Sequence, residues 1–247
     1  MNELSLFSGA GGGLLGTKLL GWRSVGYVEN NTYCQQILAQ RIEDGFLDEA
    51  PIFGDIDDFI ESGAAKKYKG YVDVVTAGFP CQPFSVAGKK KGQDDERNKW
   101  PQTIQCIRDV GCRIALLENV PGLLNSGYFP EILRSLAEAG FDARWTVLGA
   151  DDVGAPHRRK RLWILADSSR LGMERSGTDW EQESPVPSGS EVPRCDGTGS
   201  RTKDWPTEPD IRRVAHGVAH RVDRLKAIGN GQVPRVVATA WEILTGE

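Results

Sequence analysis

The sequence predicts an α/β fold, a parallel sheet with helices on both faces. Three observations carry this. Short apolar runs alternate with longer amphipathic segments along most of the 247 residues. A glycine-rich turn joins the first apolar run to the first helical segment in "LSLFSGAGGGLLG". Two later apolar runs, "VDVVTAG" and "RIALLEN", each give way to a proline-bearing exit.

Taken in order, residues 4–7 read as a strand and 14–20 as a helix after the glycine turn. Residues 24–28 are strand-like, and 33–42 are helical by their apolar spacing. Residues 72–77 form a strand and 101–110 a helix. Residues 113–117 and 129–139 repeat the pair, and 143–149 and 161–166 add two strands. From Asp167 to about residue 207 Ser, Gly, Pro, Glu and Arg dominate and apolar periodicity is lost, which reads as a loop-rich insert. Order is expected to return before a closing amphipathic helix over 235–244.

Composition narrows the classes of function. Hydrophobic residues at 39% and charged residues at 26% suit a folded domain. The five cysteines form no C-x-x-C pair and only three histidines exist, so no zinc site is expected, and no metal. An odd, scattered thiol set suits a reducing cytosol, and the expected location is cytoplasmic, in a bacterial or phage-infected cell. The N-terminus lacks the basic region of a signal peptide. No stretch approaches the roughly 18 apolar residues of a membrane span, and no membrane partner is expected. A net charge of −4 gives no overall pull toward nucleic acid. Basic residues nonetheless gather late, in Arg158–Arg161, Arg194, Arg201, Lys203, Arg212, Arg213, Arg221, Arg224 and Lys226.

The first turn holds Gly11, Gly13 and Gly16 in a literal G-x-G-x-x-G spacing, and Glu29 follows the second strand. Such a turn admits close backbone approach, and an acid at the next strand tip suits ribose hydroxyls. A nicotinamide dinucleotide and S-adenosylmethionine both satisfy this pattern. Phe7 at the strand tip could present its ring to adenine. Asp55 in "FGDID" suits either an exocyclic amine or the cap of a following helix.

In "GFPCQPFS", Cys81 stands between two prolines where a buried strand ends. In a doubly wound sheet ligands bind beyond the carboxyl ends of the strands, so this thiol belongs at the mouth of the site, rigidly aimed as a nucleophile must be. Gln82 and Ser85 can hydrogen-bond a polar substrate. The next strand ends in Glu118, Asn119 and Val120, which puts a carboxylate at the same rim. Arg159 and Arg161 precede the last strand, and strand alternation would place both guanidinium groups on one face.

These pieces together resemble the DNA (cytosine-5) methyltransferase family. The resemblance rests on "FSGAGG" with Glu29 after it, "GFPCQPFS", "ENVPGL", "RRKR" and "GNGQVP", in that order. It implies a Rossmann-like, doubly wound, mostly parallel sheet with a small loop-rich target-recognition insert. The implied organisation is a catalytic domain over 1–166, a target-recognition region over 167–224 and a return segment over 225–247. The implied cofactor is S-adenosyl-L-methionine, leaving as S-adenosyl-L-homocysteine. Its site would be formed by Phe7, Gly9, Ala10, Gly11, Glu29, Asn30, Asp55, Ile56, Phe79, Asn230 and Val233. The implied catalytic set is Cys81, Glu118, Arg159 and Arg161, with Pro80, Gln82, Ser85, Asn119 and Val120 around the target base. The implied partners are double-stranded DNA and a cognate restriction endonuclease, and the chain is expected to act as a monomer. Residues 86–100 are expected to close over a flipped base, and Trp205 and His216 are candidates for reading DNA. The sequence departs from the family pattern at His157, where glutamine is usual, and in its short recognition region.

Overall fold

A computed structural model describes residues 1–80, 98–168 and 221–246. Cys81, Gln82, Ser85, most of the expected lid and nearly all of the target-recognition region, with Trp205 and His216, lie outside the described residues.

The first half of the chain alternates strand and helix. β1 (Asn2–Leu6) leads to α1 (Gly12–Leu19), β2 (Arg23–Val28) to α2 (Thr32–Glu43), and β3 (Ile52–Phe53) to the short α3 (Ile56–Glu61) and α4 (Ala64–Lys67). β4 (Val74–Ala77), α5 (Trp100–Val110), β5 (Ile114–Asn119) and α6 (Phe129–Glu138) continue the pattern. It ends in an antiparallel pair, β6 (Asp142–Leu148) and β7 (Arg161–Asp167), and then α7 (Arg221–Asn230) and α8 (Pro234–Thr245) close the chain.

The seven strands lie in the order β3-β2-β1-β4-β5-β7-β6. Pairs among the first five are parallel, and β7 alone runs against its neighbours. The chain winds outward from β1 to β3, then returns to place β4 on the other side of β1. That reversal opens a crevice between the β1 and β4 tips, where ligands of doubly wound sheets bind. Both faces of the sheet are covered, and the strands alternate accordingly. Val75, Ala77, Ala115 and Leu117 join the cluster beneath α3 to α6, while Val74, Ile114 and Leu116 join the one beneath α8.

Helix α5 shows how the sequence sets these faces. Trp100, Thr103, Ile104, Ile107 and Val110 are buried at helical spacing. Pro101 stands in the first turn, and Gly111, at φ 63°, stops the helix by returning its N–H to the Ile107 carbonyl at 2.9 Å. The return segment is part of the same core. The rings of Trp22 and Trp241 meet edge-on with centroids 4.7 Å apart. Gly16 of α1 makes room for Pro234 and Val237, where an added Cβ would lie 2.5 Å from the Pro234 carbonyl oxygen. Among the described residues no helix is long and apolar enough to cross a membrane.

Candidate active site at the strand tips

A cavity of about 720 Å³ opens at the carboxyl edge of the sheet. Its walls come from the ends of β1, β2, β4 and β5, the start of β7 and the end of α7.

One side of the cavity is built by the glycine turn and Glu29. Leaving β1, the backbone takes the left-handed region at Phe7 (φ 54°) and again at Gly9 (φ 55°). A non-glycine residue there costs about 1–3 kcal/mol and persists only where its surroundings impose it. Here the Ser8 N–H is bound to the Val28 carbonyl at 3.1 Å. The buried Glu29 carboxylate accepts the Gly9 N–H at 2.7 Å and the Asn31 N–H at 2.8 Å. Each of its oxygens keeps a second lone pair, so the acid can hold the turn and still accept from a ligand.

Asp55 caps a helix, as one of its two sequence readings expects, and it also lines the cavity. Its carboxylate accepts the Asp57 N–H of α3 at 2.9 Å, and the Asn30 amide donates to it at 3.3 Å. Partial burial pushes its pKa up, but these hydrogen bonds and the nearby Lys99 ammonium prevail and hold it below the usual carboxylate value. Lys99 itself lies 2.6 Å from Asp57 and 3.9 Å from Asp55.

The opposite side is built around Glu118. It is largely buried and forms an ion pair with the Arg161 Nε at 2.9 Å through Oε1. Its Oε2 accepts from the Gln232 amide at 3.3 Å. Burial raises the Glu118 pKa, and that effect outweighs Arg161, Gln232 and Arg159, all of which pull it down. Asn119 fixes the strand exit beside it: its amide nitrogen donates to the Phe79 carbonyl at 3.1 Å and its oxygen accepts the Val120 N–H at 2.8 Å. The segment Gly78-Phe79-Pro80, which runs directly into Cys81, is thereby tied to the tip of β5, and all three residues line the cavity.

Phe7, Gly9, Glu29, Asn30, Asp55, Ile56, Phe79, Pro80, Glu118, Asn119, Val120, Arg161 and Asn230 thus meet at one cavity. Other expected site residues are placed differently. Gly11 (φ 84°) turns its back on the cavity, toward Leu38 and Leu47, and neither it nor Ala10 lines the wall. Val233 precedes α8 and packs against the core beneath that helix. The Asn119 side chain is consumed by the backbone contacts just described. Arg159 is not in a strand, because β7 begins at Arg161. Its backbone takes φ 29°, and its guanidinium donates to the carbonyls of Gly229, at 2.7 Å, and Gly231. It therefore grips the return segment while remaining close enough to Glu118 to influence it.

Sequence reasoning missed Gln232 and Lys99. Gln232 lies inside "GNGQVP", but its partner is far away in sequence, and only the fold brings the two together. Lys99 sat at the end of a charged run read as a closing loop, with no role of its own assigned to the lysine. Two of the described cysteines, Cys106 and Cys112, lie in the core away from the cavity. Burial pushes the Cys106 and Cys112 thiols up to about 12, which leaves almost no thiolate near neutrality.

Fold and cavity together define a class: an α/β sheet with a reversed seventh strand, a nucleoside-sized cavity with acids at the β2 and β3 tips, and a buried acid–arginine pair at β5 and β7. The chain belongs to the C-5 cytosine-specific DNA methylase family, which it matches over residues 1–216. It is 33% identical over 168 residues to the Type II methyltransferase M.NgoMIV of Neisseria gonorrhoeae, covering 66% of this chain and 51% of that one. It is 34% identical over 175 residues to M.HaeII of Haemophilus aegyptius, covering 69% and 52%. The chain spans about half the length of these relatives. Among solved structures, the Entamoeba histolytica methyltransferase EhMeth shares the fold with a TM-score of 0.54 at 20% identity, over 70% of this chain and 55% of that one. A putative DNA modification methyltransferase from an E. coli prophage shares it with a TM-score of 0.53 at 24% identity, over 71% and 49%. An adenosine-bearing cofactor fits the cavity, since carboxylates stand at two successive strand tips beside the Phe7 ring and the glycine turn.

Proposed function

We propose that this chain transfers a methyl group to carbon 5 of a cytosine flipped out of double-stranded DNA, through a transient bond to Cys81. The observation that carries the reading is the pairing of Glu118 with Arg161 at the rim, beside the tethered segment that leads into Cys81. S-adenosyl-L-methionine, once bound, supplies an electrophilic methyl group. Glu29, Asp55, Phe7 and Asn230 are the residues to hold its nucleoside, and no metal takes part.

The roles of the chain's own groups follow from their chemistry. A base inside a duplex is out of reach, so the nucleotide must be extruded, at a cost of about a few kcal/mol. The Cys81 thiolate adds to carbon 6, which makes carbon 5 nucleophilic. Glu118, kept protonated to higher pH by burial, donates to ring nitrogen 3 as charge develops there, and its other lone pairs accept from the exocyclic amine. Arg161 fixes the Glu118 carboxyl and lends positive charge to the base pocket. Loss of the carbon-5 proton and departure of the thiolate restore the aromatic ring. Pro80, Gln82, Ser85 and Val120 border the base, and residues of 167–224 read the surrounding sequence. The late cluster of basic residues gives the DNA backbone its counter-charge, so binding should weaken with salt. A monomer acting beside a cognate restriction endonuclease fits this reading.

Bisulfite sequencing of DNA from cells expressing the protein tests the activity and reports the modified base with its context. Cys81→Ala should abolish the modification while retaining S-adenosylmethionine affinity. Unmodified DNA from cells holding folded wild-type protein would refute the proposal.

A further inference from the structure

We infer that Gln232 is a positioning residue for Glu118, and that three glycines are spent to let its amide reach the acid. This rests on the reading of Glu118 given above.

The side chain of Gln232 crosses from the return segment to the rim of the sheet. Its Nε2 donates to Glu118 Oε2 at 3.3 Å, while Arg161 holds Oε1 at 2.9 Å. The carboxyl is therefore gripped on both oxygens from two elements distant in sequence. The path it takes is a slot that any Cβ would fill. A methyl on Gly13 would lie 2.3 Å from Gln232 Oε1, and one on Gly12 would lie 2.5 Å from its backbone oxygen. A methyl on Gly78 would lie 3.0 Å from both Gln232 Nε2 and Glu118 Oε2. Neither Gly12, Gly13 nor Gly78 has a positive φ, so backbone conformation does not require glycine at these positions. The contacts do. Arg159 steadies the approach from behind through the Gly229 and Gly231 carbonyls, on either side of Asn230. The amide thus reaches the acid through the gap that Gly12, Gly13 and Gly78 leave open.

The consequence is a pH signature. A donor to Oε2 favours the carboxylate form, so removing it raises the Glu118 pKa. The charged groups facing Glu118 are Arg161 of β7 and Arg159 of the preceding loop, and the cavities it borders are shared with Glu3, Glu29, Cys34, Asp55, Lys99 and Asp223. None of these changes when Gln232 is replaced.

The test is single-turnover methyl transfer by wild type, Gln232→Met and Gln232→Glu, measured across pH at saturating cofactor and DNA. Methionine keeps the unbranched length and removes the donor. Its rate at neutral pH should fall about tenfold, as for loss of one hydrogen bond that orients the acid, with cofactor and DNA affinities within about twofold. The limb of the profile that reports Glu118 should move to higher pH, by about half to one unit. Gln232→Glu preserves shape and polarity if the methionine variant fails to fold, and it should move the same limb further, since a second carboxyl then faces Oε2. A limb that stays in place in the folded variants, or a loss confined to cofactor affinity, would overturn the inference and leave Gln232 as packing alone. An inactive wild type would instead refute the methyltransferase reading, so the two failures are distinct.

Discussion

Gly12→Ala is the sharpest test of how the return segment is seated. The added methyl would lie 2.5 Å from the Gln232 carbonyl oxygen and 3.2 Å from its nitrogen. Ordinary contact begins at 3.4 Å, so backbone must retreat by 3.4 − 2.5 = 0.9 Å. Backbone here is not free to yield, because Arg159 holds the carbonyls of Gly229 and Gly231 from the other side. Overpacking of this kind costs about 1–3 kcal/mol. Alanine recovers little of this through helix propensity, because Gly12 is the first residue of α1 and the full gain of about 1 kcal/mol belongs to helix interiors. The net loss of about 1–3 kcal/mol corresponds to a fall in Tm of about 2–12 °C for a chain of this size. Asn230 lines the cavity two residues before Gln232, so its displacement should weaken S-adenosylmethionine about tenfold. Thermal melts with and without cofactor, and calorimetric titration, read both effects. Gly122→Ala is the control, since a methyl there meets nothing within 4 Å. A Gly12→Ala protein with unchanged Tm and cofactor affinity would refute the tight seating argued here.

Three further outcomes are expected. Arg161→Met leaves Glu118 without its cation and should lower the single-turnover rate about 10²–10³-fold with cofactor affinity nearly unchanged, and a loss below about threefold would exclude Arg161 from the base pocket. Glu3 is fully buried among Thr17, Ser24 and Thr76, and burial raises its pKa above the ordinary 4.5. Its contribution to stability is therefore present below about pH 4.5 and is lost as pH rises through the folded pKa. Glu3→Gln should lack that decline, and urea midpoints at a series of pH values that fall in parallel for both proteins would contradict it. Iodoacetamide at pH 8 should leave Cys106 and Cys112 unmodified in the native protein, as peptide mapping would report, because their thiols titrate near 12.

The strands were legible wherever burial on both faces made the apolar run continuous, as in β4, β5 and β7. β3 was legible only as a possible strand before Asp55, because two residues carry no periodicity, α3 only through its Asp55 cap, and α4 is too short to show an apolar face. The reversed direction of β7 was also hidden, since an apolar run reads the same either way. The glycine turn was found for a partly different reason from the one that holds. Of Gly9 and Gly11 only Gly9 lines the large cavity, while Gly13 and Gly16 of the matched spacing admit Gln232 and α8. Glu118 and Arg161 were both legible as rim residues, but the contact between them was not, because pairing register cannot be read from one strand at a time.

That register is what makes the pair chemically useful. A seventh strand running parallel to β5 would start at the opposite edge of the sheet and leave its first arginine a full strand length from Glu118. Reversal brings the beginning of β7 to the tip of β5, where Glu118 stands opposite Trp163 and Asn119 opposite Leu162. Arg161 is two residues from Trp163, so it shares that face with Glu118 as a diagonal neighbour, a separation its long side chain can span. The same face carries Leu116 and Trp163 toward α8, which is why the return segment, and Gln232 with it, meets the acid there and nowhere else. A slip of one residue in the β5–β7 register would turn Arg161 to the face beneath α3 to α6 and strand the Glu118 charge in a buried site. The alternation that packs both sides of this sheet therefore also selects which arginine can serve the acid, and it selects Arg161 over Arg159 because the chain leaves extended conformation at φ 29° before Arg159 can join the strand.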